Sequence, residues 1–359
     1  MSEERLSRVR ESLGARGLDG ILLSGYENCL YVSGFTGEGH LVITGDAAFV
    51  LTDSRYYEQA GGEAPAFELV ETPGSVHEVL PELVRGKGIR RLGFERDIIT
   101  HGQFLEMSQA LGTSGCDLVP TRGLVERMRE VKSDAEAGEI RRACGIMVRA
   151  FQNLLPKIRP GVTEYDLAVE IEFEVRRLGA DRIGFPAIVA SGKRGSLPHA
   201  RPTLKEIRAG EMVTVDFGAF VGPYCADMTR TVAVGDPEPK LVEIYEVVRN
   251  AQEAAVAGVR PGMSLREADS IARESIARAG YGQYFGHGLG HGIGLRIHES
   301  PRLSPRAPED GVVREGMTVT VEPGIYVPGL GGVRIEDSVR VCSDGVEVFT
   351  EFTKELIRL

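Results

Sequence analysis

The sequence predicts two domains: an α/β domain over residues 1–125 and, over 126–359, a larger domain of two pseudo-symmetric halves. Three observations carry that prediction. The chain has 359 residues, more than one ordinary domain. Its first third alternates strand and helix patterns. Its remainder contains an internal repeat in which a buried-strand pattern ends, twice, in a carboxylate.

In the first third, Leu6, Val9 and Leu13 recur at helical spacing, and Gly17 follows as a stop. Strand-like runs come next at 21–24, 41–44 and 48–51, the last two joined by a Gly-Asp turn. Helical patterns cover 76–84 and 103–111. The Lys/Glu-rich stretch 126–142 reads as one helix entering the second domain, which places the boundary within 121–131.

The repeat is visible within the chain itself. Arg159-Pro160-Gly161-Val162-Thr163 recurs as Arg260-Pro261-Gly262-Met263-Ser264. Thr163 with Asp166, and Ser264 with Glu267, then have the form of capping boxes. Further on, Met212-Val213-Thr214-Val215-Asp216 is echoed by Met317-Thr318-Val319-Thr320-Val321-Glu322. Repeats are usually duplicated scaffolding, but an acid at the matching strand end of each copy points to a shared site.

Composition limits the partners. With 42% hydrophobic and 26% charged residues the chain can bury a sizeable core. A net charge of −10 argues against a nucleic-acid groove, which needs a basic face. No apolar run approaches the roughly 18 residues of a membrane span. The charged N-terminal stretch lacks the apolar segment of a signal peptide, so a cytoplasmic protein is expected. Cys29, Cys116, Cys144, Cys225 and Cys342 are scattered and odd in number, as for free buried thiols in a reducing compartment.

The chemistry concentrates in the second domain. Asp227 follows a Gly-Pro turn after the strand ending in Asp216, a pattern for a hairpin that brings the two carboxylates together. Either acid alone reads more simply as a turn or cap residue. Glu322 and Glu336 repeat the pattern in the second half. Four acids aimed at one point must either hold their protons or bind cations. Only seven histidines exist, and His287, His291 and His298 fall within one glycine-flanked segment of twelve residues. That segment does not fit G-x-G-x-x-G or H-E-x-x-H, and no G-x-S-x-G elbow occurs in the chain. Four carboxylates and an imidazole without thiolate form a mostly oxygen site suited to Mn²⁺, Co²⁺, Fe²⁺ or Zn²⁺. Two such ions can share a hydroxide, lower its pKa and polarise a carbonyl, so the reaction class is metal-assisted hydrolysis.

At these residues the sequence resembles the pita-bread metallopeptidases, the family of methionine aminopeptidase, aminopeptidase P and prolidase, over nearly the whole chain. The resemblance implies an α+β pita-bread fold for the C-terminal domain and two divalent metal ions, Mn or Co ahead of Zn or Fe. It implies Asp216, Asp227, His291, Glu322 and Glu336 as ligands, with Asp227 and Glu336 bridging. By the same resemblance His298 stabilises the tetrahedral intermediate and Glu322 accepts the proton of the bridging water. His199 and His287 are then substrate-binding, and Arg334 supports Glu336 beside the substrate. The stretches Asn28-Cys29-Leu30-Tyr31-Val32-Ser33-Gly34-Phe35 and Thr52-Asp53-Ser54-Arg55-Tyr56 resemble the creatinase-type N-terminal domain. In the family that domain helps to build a homodimer and walls one side of the active site, favouring very short substrates.

Methionine aminopeptidases lack that domain, and creatinase lacks the metal ligands. The Xaa-Pro branch remains: prolidase, which cleaves Xaa-Pro dipeptides, or aminopeptidase P, which takes longer peptides. A dipeptidase must recognise a free carboxylate, for which a bidentate arginine is the natural partner. Arg302 lies where some microbial prolidases place one, against the plainer reading of a surface arginine after a proline turn. The expectation is therefore an Xaa-Pro dipeptidase, with aminopeptidase P as the alternative. A pita-bread protein that binds without catalysis is more remote, because all five ligands, His199 and His298 are present.

Overall fold

The computed structural model describes residues 2–112 and 114–359. The chain divides into two compact units, Met1–Arg129 and Glu130–Leu359.

The N-terminal unit is a six-stranded mixed sheet flanked by helices. Its strands are β1 (Gly20–Leu23), β2 (His40–Thr44), β3 (Ala48–Thr52), β4 (Glu68–Glu71), β5 (Arg91–Glu95) and β6 (Asp117–Thr121), in the spatial order β4-β3-β2-β1-β5-β6. The β1/β2 and β2/β3 pairs are antiparallel; the β3/β4, β1/β5 and β5/β6 pairs are parallel. Helix Ser2–Arg16 buries Leu6, Val9 and Leu13, and it stops at Gly17, whose φ of 60° suits glycine. Helices Val76–Gly86 and His101–Leu111 overlie the predicted helical patterns.

One element had no helical reading. The stretch beginning at Asn28 lies in helix Tyr26–Ser33, with residues 28–33 all buried. Its apolar content is too uniform to show a 3.6-residue period. Its N-terminal position is Gly25, which has no capping side chain. The Glu95 carboxylate, brought from β5, accepts the Ser24 and Gly25 amides instead, at 2.5 and 2.7 Å.

The helix predicted over 126–142 is interrupted. A short turn, Glu126–Arg129, is followed by a break and then by helix Asp134–Leu154. Within the C-terminal unit Val131 bridges to Met317, and the Lys132 amide donates to Gly316. Ser133 then caps the long helix in a capping box with Glu136. A tertiary backbone pairing therefore overrides the local helix preference.

The C-terminal unit repeats in space what it repeats in sequence. Gly161 and Gly262 have φ of 87° and 88°, and their amides donate to Ile207 and Val313. Thr163 and Ser264 form capping boxes with Asp166 and Glu267, opening helices Glu164–Arg177 and Leu265–Arg278. Gly210 and Gly316, each six residues before its acid, share φ of 85° and 82°.

In the first half β7 (Arg182–Ile183) and β8 (Ile188–Ser191) both pair with β9 (Glu211–Val221), which forms a long hairpin with β10 (Tyr224–Val234). The second half adds β11 (Gly290–Gly292), β12 (Glu299–Leu303), β13 (Thr318–Val321), β14 (Gly324–Val327), β15 (Gly331–Arg334), β16 (Asp337–Cys342) and β17 (Gly345–Val348). Five of these form the sheet β12-β11-β13-β16-β17, while β14 and β15 pair separately. Helix Pro239–Gly258 and helix Leu265–Arg278 enclose the larger core with β13 and β16, around Ile244, Val248, Ala268, Val319, Val321 and Val339. No described helix is long and apolar enough to cross a membrane. All five cysteines are free; Cys29, Cys144 and Cys225 are buried, whereas Cys116 and Cys342 are only half-buried, contrary to the expectation for those two.

Candidate active site

Strand β9 is a run of β-branched and apolar residues that suits a fully buried strand, and every position from Met212 to Val221 is buried. In the hairpin Asp216 pairs with Thr229 and Asp227 with Gly218. Because side chains alternate, Asp216 and Asp227 fall on one face, diagonally adjacent. Across the repeat Val321 pairs with Asp337, so Glu322 and Glu336 are the next residues outward, where β13 and β16 part. His291 arrives on the short strand β11. Its flanking glycines are needed for close approach: a Cβ at Gly290 would meet the Thr320 carbonyl oxygen at 1.9 Å, and one at Gly292 the Ser300 carbonyl oxygen at 2.2 Å.

Ligand atoms of Asp227, His291 and Glu336 all lie within 4.8 Å of one another, and all three residues are buried. His291 Nε2 is 3.9 Å from Asp227 Oδ2 and 3.3 Å from Glu322 Oε1. Asp216 is held by Arg334, whose Nη2 donates to its Oδ2 at 2.5 Å. Thr229 Oγ1 donates to Glu336 Oε2 at 2.6 Å, and Thr320 Oγ1 to Glu322 Oε1 at 3.1 Å. The His291 ring is oriented by its Nδ1 against the Gly292 carbonyl at 3.1 Å, which leaves Nε2 facing the acids.

Burial pushes Asp227 and Glu336 well above the usual carboxylate range, with neighbouring acids adding to the effect. Burial likewise lifts Glu322 to about 7. Desolvation, and then His298, lower His291 to about 3, so its imidazole is neutral and able to ligate. Arg334 is the one cation bonded to these four acids among the described residues. Asp216 Oδ1 and Asp227 Oδ1 are buried with no hydrogen-bond partner among the described residues. Orphaned carboxylate oxygens beside a neutral imidazole, with three negative charges unmatched, are what a pair of divalent cations would satisfy, so the residues fit the implied metal ions.

These groups line a cavity of about 520 Å³. His199, His287, His298 and Arg302 line it too, with Phe185, Ile188 and Pro198 as an apolar patch. The His298 ring lies tilted by 60° against that of His291, 4.3 Å centroid to centroid. The exposed Arg302 side chain has no ion-pair or hydrogen-bond partner among the described residues. His287 contacts the Gly288 carbonyl through Nδ1 at 2.8 Å and the Tyr326 hydroxyl through Nε2 at 3.0 Å; burial lowers it to about 4.

Arg334 is arranged differently from the sequence reading. It is buried and donates to Asp216, the Thr229 hydroxyl, the Tyr326 hydroxyl and the Pro198 carbonyl. Its direct acidic partner is thus Asp216, and it reaches Glu336 only through Thr229. Sequence reasoning missed Thr229, Thr320 and Tyr326. Thr229 was findable, since it shares a strand face with Asp227; Tyr326 carries no signal of its own.

The fold agrees with the comparisons to known proteins. Residues 138–343 match the metallopeptidase family M24, and residues 5–131 match the creatinase/prolidase N-terminal domain. The chain belongs to metallopeptidase family M24. A solved Xaa-Pro dipeptidase from Bacillus anthracis is 45% identical, covers 100% of both chains and superposes with a TM-score of 0.97. The Xaa-Pro dipeptidase of Pyrococcus horikoshii is 36% identical over 99% of this chain and 99% of its own length. The crystal structure of an X-Pro aminopeptidase from Thermotoga maritima is also 36% identical, with a TM-score of 0.87 over 96% of this chain and 98% of that one. As an M24 member the chain is a peptidase, with a creatinase-type N-terminal domain and a pita-bread C-terminal domain.

Proposed function

We propose that this M24 member is an Xaa-Pro dipeptidase that works with two divalent metal ions, Mn²⁺ or Co²⁺ ahead of Zn²⁺ or Fe²⁺. The observation that carries the reading is the Arg302 guanidinium, unpaired among the described residues, in the same cavity as the acids. A free prolyl carboxylate is the group that a guanidinium there would hold. Phe185, Ile188 and Pro198 offer the pyrrolidine ring an apolar seat. The dipeptidases of Bacillus anthracis and Pyrococcus horikoshii support the same substrate class.

In this reading Asp216, Asp227, His291, Glu322 and Glu336 hold the ions, all within residues 126–359. The chemistry that the ions supply when bound is acidification of a water and polarisation of the scissile carbonyl. Glu322 takes the proton of the attacking water and returns it to the leaving amine. His298, which lines the same cavity beside His291, donates to the developing oxyanion. His199 and His287 hold the substrate, and Arg334 fixes Asp216 and the wall behind it. The protein is further proposed to be a cytoplasmic homodimer, its five free thiols fitting a reducing compartment.

A specific observation favours a second reading. Past Pro198, His199 and His287 lies another cavity of about 510 Å³, lined by Tyr284, Tyr326 and Pro328. It offers room for residues beyond the proline, as an aminopeptidase P would need. The deciding assay is cleavage of Ala-Pro, Ala-Pro-Ala and Met-Ala after chelation and after adding back Mn²⁺ or Co²⁺. Metal-restored cleavage confined to Ala-Pro is the expected result. Preference for the tripeptide selects the second reading, and no cleavage with any metal overturns both.

A further inference from the structure

We propose that Glu164 is a positioning residue for His199, acting through the strap of residues 191–203 that carries this histidine into the cavity. The inference rests on the reading of that cavity as a peptide site in which His199 contacts substrate.

Glu164 is fully buried, at 0% exposure, although it is a carboxylate. Five donors converge on it: the Ser191 amide and hydroxyl at 2.8 and 2.9 Å, Arg194 Nε at 2.9 Å, and the Thr203 amide and hydroxyl at 3.2 and 2.8 Å. Ser191 is the first residue of the strap and Thr203 its last, so one carboxylate closes both ends. Arg194 extends the closure by donating Nη2 to the Arg201 carbonyl at 2.6 Å. Farther along, Arg334 Nη1 donates to the Pro198 carbonyl, next to His199, at 3.2 Å. The His199 ring itself makes no hydrogen bond among the described residues, so its place in the cavity is inherited from the strap.

The internal repeat provides a control on the alternative that Glu164 merely serves its helix. Thr163 and Ser264 are equivalent caps, so the counterpart of Glu164 is Leu265, also buried. The scaffold therefore tolerates an apolar side chain at this position. Helix Glu164–Arg177 is already capped by the Thr163–Asp166 box and does not need a second acid for that purpose. What the first half has at this position is an acid with a strap to hold.

The test is a double-mutant cycle on the metal-loaded enzyme with Ala-Pro as substrate. Glu164→Gln is expected to raise KM about tenfold with kcat changed less than about threefold, and to add less than about twofold in a His199→Ala background. Equal effects in both backgrounds, or none in either, would overturn the proposal. Should Glu164→Gln fail to fold, Thr203→Val, which removes a single donor, carries the same comparison. A second readout needs neither metal nor activity. In metal-free protein labelled at histidine, Glu164→Gln should shift the His199 ring resonance, identified by its loss in His199→Ala, and leave those of His40, His77 and His101 in place. An unmoved His199 signal counts against the proposal. A wild-type enzyme that cleaves no Xaa-Pro peptide removes the Xaa-Pro reading instead, while the resonance still decides whether Glu164 places the ring.

Discussion

Asp227 and Glu336 are buried and Glu322 faces them from the cavity wall, and desolvation raises all three carboxyls. A carboxyl whose folded pKa exceeds its unfolded value supports the fold only while it keeps its proton. Its contribution is complete below the ordinary value of 4.5 and is lost as pH rises through the folded value, about 7 for Glu322. Across about pH 4.5 to 7 His287 and His291, lowered to about 4 and about 3, act in the opposite sense. The carboxyl contribution is therefore read against chelated Glu322→Gln: the melting temperature of chelated wild type should fall relative to that variant over this window. Calorimetry of the two chelated proteins reads this; a constant difference between them across the window contradicts the electrostatics. Arg302 is the residue on which substrate length turns. Arg302→Ala should raise KM for Ala-Pro by about 10- to 100-fold, the range for losing a charge-assisted carboxylate contact, and should leave Ala-Pro-Ala nearly unchanged. Comparable losses on both peptides would remove its role as carboxylate anchor. For His298→Ala steady-state kinetics should show kcat lower by about 10²- to 10³-fold, with metal content intact.

Among the elements, β11 is the least tolerant. Its backbone is wedged between the Thr320 and Ser300 carbonyls, so Gly290→Ala drives a methyl group into main chain that cannot move aside. A loss of at least about 1–3 kcal/mol, the range for overpacking, is expected, together with weakened metal binding as His291 is displaced. Thermal melts and metal analysis of the purified variant check both. The hairpin of β9 and β10 was legible in the sequence because β-branched runs, a Gly-Pro turn and two acids coincide at fixed spacing. Helix Tyr26–Ser33 was not legible, because a helix buried on all sides shows no periodicity. Nor was the break before Asp134, where the pairing of Val131 with Met317 is set by residues far along the chain. The five candidate ligands were readable by type and order. Arg334's allegiance to Asp216 was not, since it depends on how β15 meets β9 in space.

At the scale of the whole C-terminal unit the repeat governs both architecture and site. Each half contributes a helix opened by a capping box and a strand that carries an acid, although β9 runs on five residues past Asp216 instead of ending there, whereas Glu322 lies just beyond β13. The final segment secures the first half by pairing Leu359 with Ala233 and Gly235. The two halves are nonetheless not interchangeable. Ser191 pairs with Val213 in the first half as Gly292 pairs with Val319 in the second. Counting back one residue, Ala190 holds the register place that His291 holds in the other half. An imidazole therefore enters from one side of the pseudo-twofold axis and a methyl group from the other. The proposed pair of ions would thus occupy berths of unequal donor strength, and titration calorimetry of the chelated protein should resolve a tight first equivalent and a weaker second. At limiting metal supply the chain would then spend part of its life half-loaded, its output following the availability of the second ion.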